Sequence, residues 1–113
     1  MSEKLFQFTT PGSPRAVSGA IEQLAMGQGS LTAIIVPWES DPAALSMAVT
    51  STQGEGWALE HTNLGTIRLT DLGNETTRVE VIVDVQHHPE HQKLAKLFHR
   101  FSTEIQARFQ VAQ

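Results

Sequence analysis

Three of the five histidines in this 113-residue chain fall within QHHPEH, residues 86–91. Imidazoles this dense can hold a divalent metal if they converge on one ion at about 2.0–2.2 Å. The proline between them works against that. Pro89 suits the first position of a helix, which makes His88 the N-cap and leaves His87 outside; Glu90 then sits in the first turn, where its charge suits the helix dipole. His87 and His91 therefore lack the common helical face that an i, i+4 pair requires. His99 lies eight residues beyond His91, about 12 Å along a helix, too far to share an ion. The segment reads as a solvated strand-to-helix junction, with a metal centre on His87, His88 and His91 as the alternative. No cofactor is expected.

His61 stands apart. It alternates with Trp57 and Leu59 along one face of a strand. It reads as a half-buried histidine with a hydrogen-bond partner, or as a polar group at the rim of an apolar cavity, placed to orient a ligand or move a proton. No G-x-S-x-G motif supplies a nucleophile for it. The glycine pairs at 27–29 and 54–56 lack the spacing and flanking elements of a phosphate loop. Glu39 and Asp41 read as solvated loop acids, and Trp38 and Trp57 as core, with ligand platforms as the alternative. Lys93, Lys96 and Arg100 fall on one helix face, which reads as solvated, or as a surface for an acidic partner.

Composition narrows the classes. A chain of this length makes one domain. With 40% hydrophobic and 18% charged residues it is globular rather than disordered. It has no cysteine, which excludes disulfides, thiolate zinc sites and a cysteine nucleophile. Residues 1–88 carry ten acids and four bases, or −6; residues 89–113 carry two acids and four bases, or +2, giving the net −4. So acidic a body argues against general nucleic-acid binding, where phosphate contacts supply the affinity. MSEKLFQFTT lacks the apolar run of a signal peptide, AIIV at 33–36 is far too short for a membrane span, and no lipidation motif appears. A cytoplasmic protein is expected.

The elements that must position these residues follow from periodicity. KLFQFTT, 4–10, reads as a strand with Phe6 and Phe8 on one face. Ser13 and Pro14 make a helix start; Val17, Ile21 and Leu24 form its apolar stripe, and Gly27 reads as its left-handed cap. SLTAIIVPW, 30–38, reads as a strand buried on both faces at its centre, which ends at Pro37 or lies at a sheet edge. Residues 42–51 fit either period; Asp41-Pro42 tips them toward a short helix. GTIRLTDLG and TTRVEVIVDV form a hairpin around residues 73–75, with Val79, Val81, Val83 and Val85 inside and Arg78, Glu80, Ile82 and Asp84 outside. A long helix runs from 89 to about 110, with Leu94, Phe98, Phe101, Ile105 and Phe109 on its buried stripe. The expected class is α+β, an antiparallel sheet packed against a long C-terminal helix.

From Trp57 through GTIRLTDLGNETTRVEVIVDV to that helix, residues 56–110 resemble the end of the START/Bet v 1-like (SRPBCC, helix-grip) superfamily. The turn in RLTDLGNETTRVEV is similar to the family's penultimate one, and FQFTTPGSPRAVSGAI is compatible with its first strand and helix start. Such domains are usually longer, and here one helix stands in for their pair, a reduced helix-grip. The resemblance implies an apolar cavity between sheet and terminal helix that takes a lipid, polyketide or other hydrophobic molecule. Trp57, Leu59, His61, Leu69, Phe98 and Phe101 would line it. A second expectation comes from another class. Outward-facing Ile82, between Glu80 and Asp84, hints at a non-catalytic interaction module, covered by a partner or by a second copy in a homodimer.

Overall fold

A hairpin with three inward valines organises the molecule. The computed structural model describes residues 3–27, 31–37, 39–53, 60–83 and 91–110. β4 (Glu60–Gly73) and β5 (Thr76–Val83) pair antiparallel, with Ile67 opposite Val81 and Leu69 opposite Val79. Val79, Val81 and Val83 are buried, as alternation requires. Val85 lies outside the described residues. The connecting turn is the tightest type. Asn74 and Glu75 both adopt φ of 56°, the left-handed pair of a two-residue type I′ loop. Asparagine tolerates this conformation; glutamate costs about 1 kcal/mol there. Glu75→Gly restores the preferred Asn-Gly pair and is expected to stabilise the protein by roughly 1 kcal/mol, read as a higher urea midpoint with an unchanged slope.

Three further strands extend the hairpin into one antiparallel sheet. β1 (Glu3–Pro11) joins β5, and β3 (Ala44–Gln53) and then β2 (Leu31–Val36) join β4, giving the order β1-β5-β4-β3-β2. Two helices cover one face. α1 (Pro14–Gly27) crosses from one edge toward the other and packs mainly on β2; α2 (His91–Gln110) lies over β1, β4 and β5. Ser13 accepts the Ala16 N–H at 3.2 Å, so it is the N-cap that its type predicts. Val17, Ile21 and Ala25 face the sheet, with Leu24 half-buried beside them. From α2, Leu94, Phe98, Phe101 and Ile105 are buried and Phe109 is half-buried, its ring centroid 6.5 Å from that of Phe8 in β1. Burying each of those fully buried side chains is worth roughly 1.5–3 kcal/mol. The α+β class, an antiparallel sheet against the C-terminal helix, is thus observed.

Three local expectations are corrected. Residues 44–53 are a strand rather than a helix. Asp41 does use helix-capping chemistry, but to make a turn: its Oδ1 accepts the Ala43 N–H at 2.9 Å and its carbonyl accepts the Ala44 N–H at 3.0 Å. β2 is not buried on both faces. It is an edge strand whose burial alternates from Leu31 to Ile34, with Ile34 53% exposed, although Val36 at its end is buried. Gly27 ends α1 as a helical residue without a positive φ.

The sheet carries one feature that the alternating pattern conceals. Val49 pairs with Gly65 and Thr50 with Asn63, so Leu64 is an extra residue, a β-bulge. Leu64 and Gly65 are both buried, and the inward phase changes across them, from Leu64 on one side to Ile67 and Leu69 on the other. Phe98 of α2 sits directly on Gly65. A Cβ built there would lie 2.5 Å from the Phe98 ring and 2.1 Å from the Ile82 carbonyl oxygen.

Candidate functional site

The sheet carries a charged cluster on its outer face and a nearly apolar surface on its inner one. On the outer face, Arg68 in mid-β4 faces Ser46 of β3 and Glu80 of β5. The loop before β3 folds over it. Glu39 Oε1 accepts from Arg68 Nε at 2.9 Å and from the Ser46 hydroxyl at 2.7 Å, while Asp41 Oδ2 meets Arg68 Nη2 at 3.4 Å. Arg78 and Glu80 continue the row at 3.5 Å. The solvated-loop reading of Glu39 and Asp41 is corrected accordingly: they are tethers. The Ser46 hydroxyl, then Arg68, then the Asp41 N–H hold the Glu39 carboxyl far below its ordinary 4.5, at about 2. Glu39 and its neighbours in turn hold the Arg68 guanidinium firmly protonated.

A carboxylate so stabilised is a poor base, and it cannot activate the Ser46 hydroxyl near neutral pH. The cluster clamps a loop instead. Because the folded value lies below the unfolded one, its contribution to stability is complete above pH 4.5 and is lost as the pH falls through about 2. Glu39→Gln should lower the melting temperature at pH 7 and flatten its fall between pH 4.5 and 2; parallel melting curves for the two proteins across that range would refute the clamp.

The inner face is apolar with few exceptions. Leu69, Phe98 and Phe101, three of the residues expected to line a cavity, are brought together there in the packed core between sheet and α2. His61 is placed by its backbone in β4 opposite Thr52; its side chain, Trp57 and Leu59 lie outside the described residues. So do Trp38, His87, His88 and the side chain of His91. Among the described residues, no cluster of three His, Asp or Glu could hold a metal. His99, Lys93, Lys96 and Arg100 are exposed on α2. Beyond the Gly65 row, toward the open end of β3 and β4, Leu31, Ser51 and Thr62 pair side by side. Ser51 is 1% exposed, and its hydroxyl has no hydrogen-bond partner among the described residues. Nothing in its local sequence, TSTQ, distinguishes it.

A separate notch of about 210 Å³ lies at the opposite end of the sheet. The start of α1 (Ser13, Pro14, Arg15), residues 42–45 and Asp71 line it, and none of the expected cavity residues does. It is smaller than the roughly 300–1,000 Å³ of small-molecule pockets. Ile82, the outward isoleucine, is half-buried in a row of the outer face with Lys4, Thr66, Ala48 and Ile34.

No family model, curated protein or solved structure matches this chain. Among those described, no helix is long and apolar enough to cross a membrane.

Proposed function

We propose that the chain binds a hydrophobic small molecule, lipid- or polyketide-like, between the inner face of the sheet and α2, as its START/Bet v 1-like resemblance implies. The observation that supports this reading is the Ser51 hydroxyl, buried on the largely apolar inner face with no hydrogen-bond partner among the described residues. An unsatisfied buried hydroxyl costs about 1–3 kcal/mol, and the fold alone gains nothing from it. A ligand pocket, by contrast, is mostly apolar with a few polar groups that orient the guest. Ser51 sits beside Leu31 and Thr62, one row beyond the Gly65–Phe98 contact. Phe98 closes that end against Gly65, while Leu69 and Phe101 lie in the packed core.

A guest at that end would bury apolar surface at about 25 cal/mol per Å² and offer its polar group to Ser51. Native mass spectrometry and melting curves with dodecanoic acid, 1-dodecanol and an aromatic polyketide test this. A ligand at 100 times its Kd adds about 2.7 kcal/mol, a rise on the order of 10 °C. Ser51→Ala should fold normally and bind the polar-headed ligands more weakly. Absence of any adduct and of any thermal shift with all three compounds would sink the proposal.

A further inference from the structure

The two edges of the sheet are built differently. β1, at one edge, contains Glu3 and Lys4, a register break between Lys4 and Phe6, and a terminal Pro11. Charges, bulges and proline are the devices that keep an edge strand from pairing with another chain. β2, at the other edge, has none of them between Leu31 and Val36, and Pro37 follows it directly. Its six residues, Leu31 to Val36, are uncharged and unbroken, pair only with β3 among the described residues, and include Ile34, 53% exposed. Every second residue of an edge strand directs its N–H and C=O away from the sheet. What such an edge accepts is another extended strand.

We infer that β2 pairs antiparallel with β2 of a second copy, joining two five-stranded sheets into one of ten strands across a two-fold axis. The second copy is favoured because the strand is self-complementary. Opposite residues in an antiparallel pair share a face, and a two-fold axis centred on Ile34 sets Ile34 against its own mate, Thr32 against Val36 and Ala33 against Ile35. No charge meets a like charge, and the most exposed side chain of β2 is covered. Six residues make a strand only about 20 Å long, too little alone for the roughly 1,200 Å² of a stable interface. The remaining area comes from α1, which packs mainly on β2 and carries Met26 at 78% exposed, the most exposed of the large hydrophobic side chains described.

This inference is independent of the ligand reading, and its test separates the two. Light scattering after size exclusion should give the mass of two chains for the full-length protein, with no ligand added. Ile34→Lys places two ammonium groups face to face across the axis. Like charges so placed cost several kcal/mol, so the dimer should weaken by at least ~100-fold while the circular dichroism spectrum stays unchanged. Ile82→Lys, on the same outer face but on an inner strand, should leave the dimer intact. If Ile34→Lys fails to fold, hydrogen exchange on the unaltered protein decides: amides 31–36 should all be protected at high concentration, and alternate ones should lose protection on dilution. A monomer at about 100 μM, an Ile34→Lys protein that still dimerises as tightly, or alternate β2 amides unprotected at every concentration would each overturn the pairing.

Discussion

Gly65→Ala is expected to destabilise the protein by about 3 kcal/mol or more, at the top of the range for overpacked cores. A single added methyl group is ordinarily a small change. Here it would lie 2.1 Å from the Ile82 carbonyl oxygen and 2.5 Å from the Phe98 ring. The ring could turn or shift. The carbonyl belongs to β5, the strand paired with β4, and cannot retreat without breaking the ladder that holds the hairpin. Shortening the ring by a companion Phe98→Leu should therefore recover only part of the loss. Gly19→Ala is the control, because a Cβ at that helical position has nothing within 4 Å, and alanine there should stabilise by up to about 1 kcal/mol. Urea unfolding of the three variants measures both signs. A cost below about 1 kcal/mol at Gly65 would mean that the bulge and α2 do not approach as described.

Phe101→Ala should cost about 3–5 kcal/mol, the usual loss when a phenylalanine is removed from a core that cannot collapse around the gap. Phe101 is 1% exposed, and Leu94, Phe98 and Ile105 beside it on α2 are as deeply buried. The valines of β5 hold the facing surface in register, so the cavity cannot be filled by a small shift. Phe109, half-buried near the end of the same stripe, should lose less on truncation. Equal costs at 101 and 109, or a cost below about 1 kcal/mol at 101, would show that α2 does not lie on the sheet as a packed helix.

The hairpin and α2 were legible because a single period runs through each. Four valines alternate from 79 to 85, and the apolar stripe of the last helix returns every three or four residues. β3 was not legible: Leu45, Ala48 and Val49 keep helical spacing while Leu45, Met47 and Val49 keep strand spacing, and Asp41-Pro42 starts a turn as readily as a helix. β2 misled for a related reason. LTAIIV has too few polar residues to display the alternation that its edge position produces, although Pro37 did point to an edge. The bulge had one local sign, a glycine inside a strand pattern, but only the register shows that Leu64 is the additional residue. The site was less legible than the fold. Leu69, Phe98 and Phe101 announce themselves as inward-facing by type and period. The Glu39–Arg68 tether joins residues 29 apart with no shared motif, and Ser51 becomes notable only once the described residues around it are seen to offer it no partner.

The pairing of the first strand with the last has a consequence for how the chain reaches this structure. Gly12 accepts a hydrogen bond from the Thr77 hydroxyl at 2.7 Å across a separation of 65 positions, and Glu3 stands opposite Val83. During synthesis β1 must wait for the 65 positions that separate Gly12 from Thr77 before it finds its neighbour. Closing so large a loop is entropically costly, and topologies rich in such distant contacts fold in milliseconds to seconds rather than microseconds. In that interval the phenylalanine-bearing β1 stays open to solvent and to chaperones.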